Sequence, residues 1–378
     1  MIDEPSTIPI AIDDSINAQI LAVSEDQIVG FVRDPISCIA DRSGIPIETV
    51  IERIVAMMRA GTIRRVRQTL MSTSLAPGAL VAWQIPNENI NNAFDFMSRQ
   101  DLFSGHVVIR MTDAVMAGSD YRLWTTLKVP VGFSMVRHCE WLCKQTGAVK
   151  YKLLPAKKLF TLGVGHVRRR QVAPGERTHE PGSILDVSTV ELTQQQWRVL
   201  MALKREFEPE EIGLNLWAGR ATEAGLLLEE FFAVAESLVQ RKVIGRFSTF
   251  LEHVKKLKNG TKVTKYNALF HWSVPPGREL DAGCEVGRHL IMTHAYWREG
   301  GPEFNNVNIM GVAHGTDKEW VLAHKAAIDR HLEEAGIPIA YTNVFWGGRS
   351  EIKPSEISPI AYGQWCQEVG LDPNSMRS

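Results

Sequence analysis

The feature that most constrains this chain is a likeness between two stretches of itself. Residues 61–130 run GTIRRVRQTL, ALVAWQIP, SGHVVIRMT and WTTLKVP, and residues 242–315 run KVIGRFSTFL, ALFHWSVP, MTHAYWRE and MGVAHG. Both give an Ile-x-Arg after a helix, a strand carrying Trp and then Pro, a His-x-x-x-Arg strand, and one strand more. His106 and Arg110 fall on His294 and Arg298. A succession of signals met twice predicts two like modules, and the differences between them separate what the scaffold needs from what the chemistry needs.

Each copy opens with a helical stretch. Apolar residues at helical spacing from Asn17 to Phe31, a Ser37-capped turn through Arg42 and a third run from Ile47 to Met58 predict three helices before β-structure at Thr62 to Met71. That is a winged helix-turn-helix pattern over residues 14–75. Residues 76–160 then change period. Strands at Ala79 to Ile85, His106 to Met111, Arg122 to Val129 and Val149 to Leu154 alternate with helices at Asn87 to Arg99 and Ser134 to Thr146. This βαββαβ order is the ferredoxin-like plan. Residues 161–190 are dense in Gly, Pro and charge and read as a linker. The plan then returns, with helices at Leu192 to Glu206, Pro209 to Gly219 and Thr222 to Gln240. A second winged helix is thus predicted over 191–263, its wing bearing Lys255, Lys256, Lys258 and Lys262. A second ferredoxin-like domain covers 264–350, and a tail with one short helix covers 351–378. The expected fold class is α+β, a tandem repeat of winged helix and ferredoxin-like domain.

At 378 residues and 44% hydrophobic content the chain can bury several cores. A formal net charge of −1 gives no overall pull toward nucleic acid or anionic lipid. The five cysteines (Cys38, Cys139, Cys143, Cys284, Cys366) are odd in number and scattered, which fits a reducing cytoplasm. Cys139 and Cys143 beside His138 offer too few ligands for a metal site. The acidic N-terminus lacks a signal-peptide pattern, and no apolar run approaches the about 18 residues of a membrane span. The expectation is a cytoplasmic protein with no resident metal. No phosphate-cradling glycine loop stands in its proper strand–helix setting, and VGFSM at 131–135 does not match the Gly-x-Ser-x-Gly nucleophile signature.

A DNA-reading helix needs Arg, Lys, Asn or Gln toward the bases and positive charge toward phosphate. The first third helix offers Glu48, Glu52 and Arg53, with Arg59, Arg64, Arg65 and Arg67 only at its end. The second carries Glu223, Glu229, Glu230 and Glu236, which phosphate would repel. These helices read as scaffold or dimer face.

The chemistry-bearing residues concentrate in the second copy. His294, Tyr296 and Arg298 alternate onto one strand face, Trp272 is expected on an adjacent strand, and His314 ends the next. Imidazole moves protons near neutral pH, and a guanidinium holds a carboxylate by paired hydrogen bonds. The set suits a substrate rich in carboxylates. A structural salt bridge shared by both copies would also explain the repeated His-x-x-x-Arg.

These residues resemble the siroheme decarboxylases, AsnC/Lrp-like proteins of alternative haem and haem d1 biosynthesis. The resemblance rests on Ile63 to Arg65 and Ile244 to Arg246, on VAWQIP and FHWSVP, on Met292 to Arg298, and on Pro302 to Gly315. It covers both copies, as a fused pair of the two usual subunits. It implies removal of acetate carboxyl groups from an iron tetrapyrrole, siroheme or another, with no added cofactor. His294 and His314 would be catalytic. Arg298, Arg246, Tyr296, Trp272, His106 and Arg110 would bind substrate. Where the second copy has Ala313-His314 the first has Lys128-Val129, and the tyrosine usual near Asn305 and Asn306 is missing. Pairing of the sheets within the chain, or in a homodimer, is expected. Two other readings stand beside this one: an Lrp/AsnC-type regulator sensing a tetrapyrrole or other small molecule, and a scaffold without catalysis. His294 or His314 would equally serve as a haem iron ligand.

Overall fold

The computed structural model describes residues 8–71, 75–160, 172–186, 189–251, 266–315 and 317–378. The chain begins with α1 (Ser15–Ser24), β1 (Ile28–Val29), α2 (Pro35–Ser43), α3 (Ile47–Arg59) and β2 (Ile63–Leu70). Next come β3 (Gly78–Gln84), α4 (Ile90–Arg99), β4 (Ser104–Met111), β5 (Tyr121–Lys128), α5 (Met135–Thr146) and β6 (Lys150–Pro155), then the short β7 (Lys158–Phe160) and β8 (Ile184–Asp186). A second helical run follows as α6 (Gln194–Lys204), α7 (Ala218–Glu223) and α8 (Leu228–Gln240), leading into β9 (Ile244–Leu251). The chain continues through β10 (Tyr266–Ser273), α9 (Glu279–Gly287), β11 (Met292–Trp297), β12 (Ile309–Gly315), α10 (Lys318–Glu334), β13 (Tyr341–Ile352) and α11 (Pro359–Glu368). It is a mixed α and β fold with antiparallel sheets.

The chain divides into two compact units, and each draws on both halves of the sequence. One contains Met1–Leu75 with Val190–Val254, the other Ala76–Thr189 with Lys255–Ser378. The successive segments expected from the sequence are therefore interleaved. Strands that would be open edges in one half are covered by strands of the other.

In the helical unit, β2 and β9 pair antiparallel with Val66 opposite Thr249, and β1 adds to the far side of β9. Asp14 caps α1, and Asp34, not Ser37, caps α2, with Pro35 in its first turn. The first helix stops at Ser24 rather than reaching Phe31, because Ile28 and Val29 are recruited as a strand against Phe247 and Arg246. The helix expected at Pro209 to Gly219 is a single 3-10 turn, Pro209–Glu211, followed by α7. Buried Arg220 ties the two together through Glu211 at 2.9 Å. The next helix starts at Leu228 rather than Thr222, since Gly225 at φ +69° breaks the chain direction. The expected wing lysines at 255–262 lie outside the described residues.

The other unit is built on one ten-stranded sheet in the order β6-β3-β5-β4-β13-β10-β12-β11-β7-β8. Within each βαββαβ run the strands lie in the order fourth, first, third, second. The runs join where β13 pairs antiparallel with β4, from Trp346 opposite Met111 to Ile352 opposite His106. Helices cover one face over two cores, one in each run: Trp83, Phe94, Phe103 and Leu142 in the first, and Phe270, Trp272, Val286 and Ile328 in the second. The opposite face has a core of its own that takes Ala82, Val108 and Trp124 from one run and Leu269, Met310 and Phe345 from the other.

Two expectations about connecting segments are corrected. The described part of the expected linker, residues 172–186, contributes β8 and binds α9, with the Thr178 N–H donating to Arg288 O and that of Gly182 to Cys284 O. The expected tail is also structural. Tyr362, Trp365 and Cys366 of α11 fill the core of the first run, where the Tyr362 hydroxyl meets His138 Nδ1 at 2.9 Å and His138 Nε2 meets buried Asp101 at 3.3 Å. Among the described residues, no helix is long and apolar enough to cross a membrane.

Candidate functional site

Strand register places the polar residues of the two runs in equivalent positions. In the first run Gly78 lies opposite Lys128, Leu80 opposite Thr126, and Thr126 opposite His106. In the second, Asn267 lies opposite His314, Leu269 opposite Val312, and Val312 opposite His294. His106 therefore corresponds to His294, and Lys128 to His314. Side chains alternate across a strand. Since Ala268, Phe270, Ala295 and Ala313 pack under the helices, Asn267, His271, His294, Tyr296 and His314 face the other way.

That helix-free face gathers residues of both runs. The His106 imidazole is held at about 4, first by burial and then by Arg110, His314 and His294. His106 thus feels Arg110 of its own run and, across the join, His294 and His314 of the other. His106 Nε2 also lies 3.2 Å from Ser350 Oγ of β13. His294 and Tyr296 stack nearly parallel with ring centroids 5.9 Å apart, and the Arg298 guanidinium sits 4.5 Å above the Tyr296 ring.

Two buried arginines give the face its charge. Arg110 is 4% exposed and Arg298 is 8% exposed. Arg110 donates to Phe345 O at 3.2 Å and to Asn267 Oδ1 at 3.4 Å, while Arg298 donates to Leu154 O. Neither has a carboxylate partner among the described residues, and both Nε–H groups are buried without an acceptor. Burial lowers Arg110 to about 9 and Arg298 to about 10. Lys128 is lowered to about 8 by the same cause. Arg110 and Arg298, desolvated in this way and each with an unspent Nε–H, have the chemistry to hold an anion.

A β-bulge shapes the second run. Met292 lies opposite Ala313 and His294 opposite Val312, so Thr293 is the extra residue. Its hydroxyl donates to Val312 O at 3.0 Å and lies 3.2 Å from His294 Nδ1 and 3.4 Å from His314 Nδ1. One hydroxyl thus bridges the two histidines. Deeper on the same face His271 is fully buried among Trp124, Phe304 and Phe345, with both ring nitrogens lacking a partner. Desolvation, then Arg110 and Lys325, hold it at about 3.

Trp272 does not belong to this face, and its expected contact with substrate is corrected. It lies on β10, separated from β11 by β12, and points under the helices. Its Nε1–H donates to Asp329 Oδ1 at 2.6 Å. Arg246 lies in the helical unit, exposed on β9, with its backbone N–H bonded to Thr69 Oγ1. Sequence reasoning missed Asn267, Thr293 and His271 as members of the face. The sequence set Lys128-Val129 against Ala313-His314, and the strand register moves that match by one residue so that Lys128, not Val129, corresponds to His314.

No protein-family description matches the chain, and no curated protein matches its sequence. Among solved structures the chain is similar in fold to the siroheme decarboxylase NirDL, with a TM-score of 0.66 at 19% identity over 93% of this chain and 97% of that one. It is likewise similar to NirDL in co-complex with an iron-uroporphyrin III analogue, with a TM-score of 0.68 at 18% identity over 94% and 98% of the two chains. The resemblance expected from the sequence is thus found in the fold, along nearly the whole length.

Proposed function

We propose that this protein is a siroheme-decarboxylase-like enzyme that removes acetate carboxyl groups from an iron tetrapyrrole, the tetrapyrrole being substrate and no added cofactor being needed. The observation that carries the reading is the pair of buried, carboxylate-free arginines on the face that also holds His106, His294 and His314. A tetrapyrrole with several carboxylates would satisfy Arg110 and Arg298 and gain from Lys128, while its flat ring would lie along the sheet. The similarity in fold to an enzyme seen with an iron-uroporphyrin III analogue supports the same substrate class.

In the reaction the bond between the acetate methylene and its carboxylate carbon breaks and carbon dioxide leaves. The electron pair stays on the methylene carbon, delocalised into the ring, until an imidazolium of His294 or His314 delivers a proton and a methyl group results. No electron is lost or gained overall, and the imidazole takes its proton back from solvent. Arg110 and Arg298 hold carboxylates that do not react, and Tyr296 with Arg298 fixes the ring.

The finer fold assignment belongs to the same reading. The three-helix-and-strand runs are winged helices of AsnC/Lrp type, and the strand order within each βαββαβ run supports ferredoxin-like domains in tandem. The ten-stranded sheet is then an intrachain pseudo-dimer. We read the protein as cytoplasmic, as its free cysteines suggest.

The test is anaerobic incubation of purified protein with siroheme, followed by visible spectra and product mass, with His294→Ala alongside. The reading requires loss of the mass of carbon dioxide, abolished by the substitution. A Soret shift without mass change would replace it with tetrapyrrole binding alone, and no shift would remove tetrapyrroles altogether.

A further inference from the structure

The two runs share a backbone device that only one of them uses. β4 carries a bulge between Ser104 and His106, as β11 does between Met292 and His294. The residue placed extra by the bulge is Gly105 in the first run and Thr293 in the second. A Cβ on Gly105 would overlap Ser355 Oγ and crowd Lys353 O and Thr126 Oγ1, so a side chain there would require the Ser355 hydroxyl to turn away and its neighbours to give way slightly. At Thr293 the same bulge delivers a hydroxyl between two imidazoles.

The hydroxyl has one proton and two lone pairs. Its proton is committed to Val312 O at 3.0 Å. Toward His294 Nδ1 at 3.2 Å and His314 Nδ1 at 3.4 Å it can therefore only accept. Each ring must then carry its proton on Nδ1, which leaves Nε2 as the basic atom when the ring is neutral. This is the relation by which an outer hydrogen bond fixes the tautomer of a working histidine.

We propose that Thr293 is a positioning residue that holds His294 and His314 together in the Nδ1–H tautomer, which makes Nε2 the basic atom of each neutral ring. The bulge is what makes this possible, since regular alternation would turn residue 293 to the helix-covered face. In the first run Gly105 offers no such acceptor and Lys128 replaces the second imidazole, so of the two runs only the second has the threonine-bridged histidine pair among the described residues.

The consequence for turnover rests on the proposed function, but the tautomer does not, and the test separates them. Uniformly folded protein labelled with 15N-histidine is observed by long-range 1H–15N correlation, with His294→Gln and His314→Gln identifying the two signals. Wild type and Thr293→Ser should show both residues as Nδ1–H, and Thr293→Val, nearly equal in shape, should shift them toward Nε2–H. Thr293→Ala serves as a second acceptor-free variant. With siroheme, Thr293→Val should lower kcat about ten-fold, the size of one hydrogen bond to a charged group, with KM unchanged and Thr293→Ser restoring it. Unaltered tautomers in both acceptor-free variants would overturn the inference. Altered tautomers in a protein that turns over no siroheme would leave the inference standing and sink the proposed function.

Discussion

The runs β6-β3-β5-β4 and β13-β10-β12-β11 agree in strand order, in register and in having a bulge before the histidine. Under the helices they also agree in kind, each filling that side with large apolar residues around a buried tryptophan, Trp83 or Trp272. On the helix-free face they part company. Thr293 stands against Gly105, His314 against Lys128, and His271 against Ala82. The face that packs on helices is filled mainly by apolar residues of fitted volume, with few polar groups such as Thr125, and so stays alike. The helix-free face, where the proposed ligand would lie, is free to divide its labour. The second run has the histidine pair proposed to handle protons, and the first contributes Arg110, Lys128 and the neutral imidazole of His106.

The sharpest way to break this comparison is to delete one histidine from each run. His294→Ala should lower siroheme decarboxylation about 10²–10⁴-fold, the usual size for a lost acid or base. His106→Ala, at a ring already held neutral, should cost about ten-fold or less on the same scale. Equal losses would mean that both runs carry the chemistry. The arginines should behave alike where the histidines do not. Arg110→Ala and Arg298→Ala should each weaken binding of iron uroporphyrin about 10- to 100-fold in an absorbance titration, as expected for a charged hydrogen-bonded contact. Loss in one variant alone would extend the asymmetry to anchoring.

The difference at His271 and Ala82 predicts a pH effect. The folded protein holds His271 at about 3 against an ordinary 6.5. Below 6.5 the unfolded chain takes a proton that the folded one refuses, so stability is whole above that pH and falls progressively toward 3. Thermal midpoints should therefore drop between pH 6.5 and 4, and His271→Phe should flatten the drop; an unchanged slope would show that the burial of His271 is not its source. The smallest effect should come from Trp272→Phe. It removes the bond to Asp329 at a cost of about 1 kcal/mol in denaturant unfolding. Turnover should be intact, and a loss of activity would return Trp272 to the site.

The sequence carried the repeated His-x-x-x-Arg strands because a period of two is visible in any alternating run, and the helix and strand succession because apolar spacing changes period at each boundary. It could not tell which face of β10 the helices cover, and Trp272 was misplaced for that reason. A bulge inserts one residue without any mark in composition, so Thr293 passed as part of a regular strand. Tyr362 and Trp365 gave no sign that they complete a core hundreds of residues earlier in the chain, since that contact depends on β13 reaching β4. Arg110 and Arg298 were legible as residue types, but their burial without carboxylates is a property of the assembled face.

That return of α11 to the first run sets an order of events during synthesis. Helix α4 and strands β3 to β6 leave the ribosome early, yet their core lacks Tyr362, Trp365 and Met376, and β4 lacks its neighbour β13. Domains made early generally fold as they emerge. Here the half translated first must wait, with one strand edge and part of its apolar interior uncovered, until the residues around Met376 are made. A chain stalled after residue 340 should accordingly be rescued in trans by a peptide spanning residues 341–378, because what the growing first half awaits is a single contiguous piece.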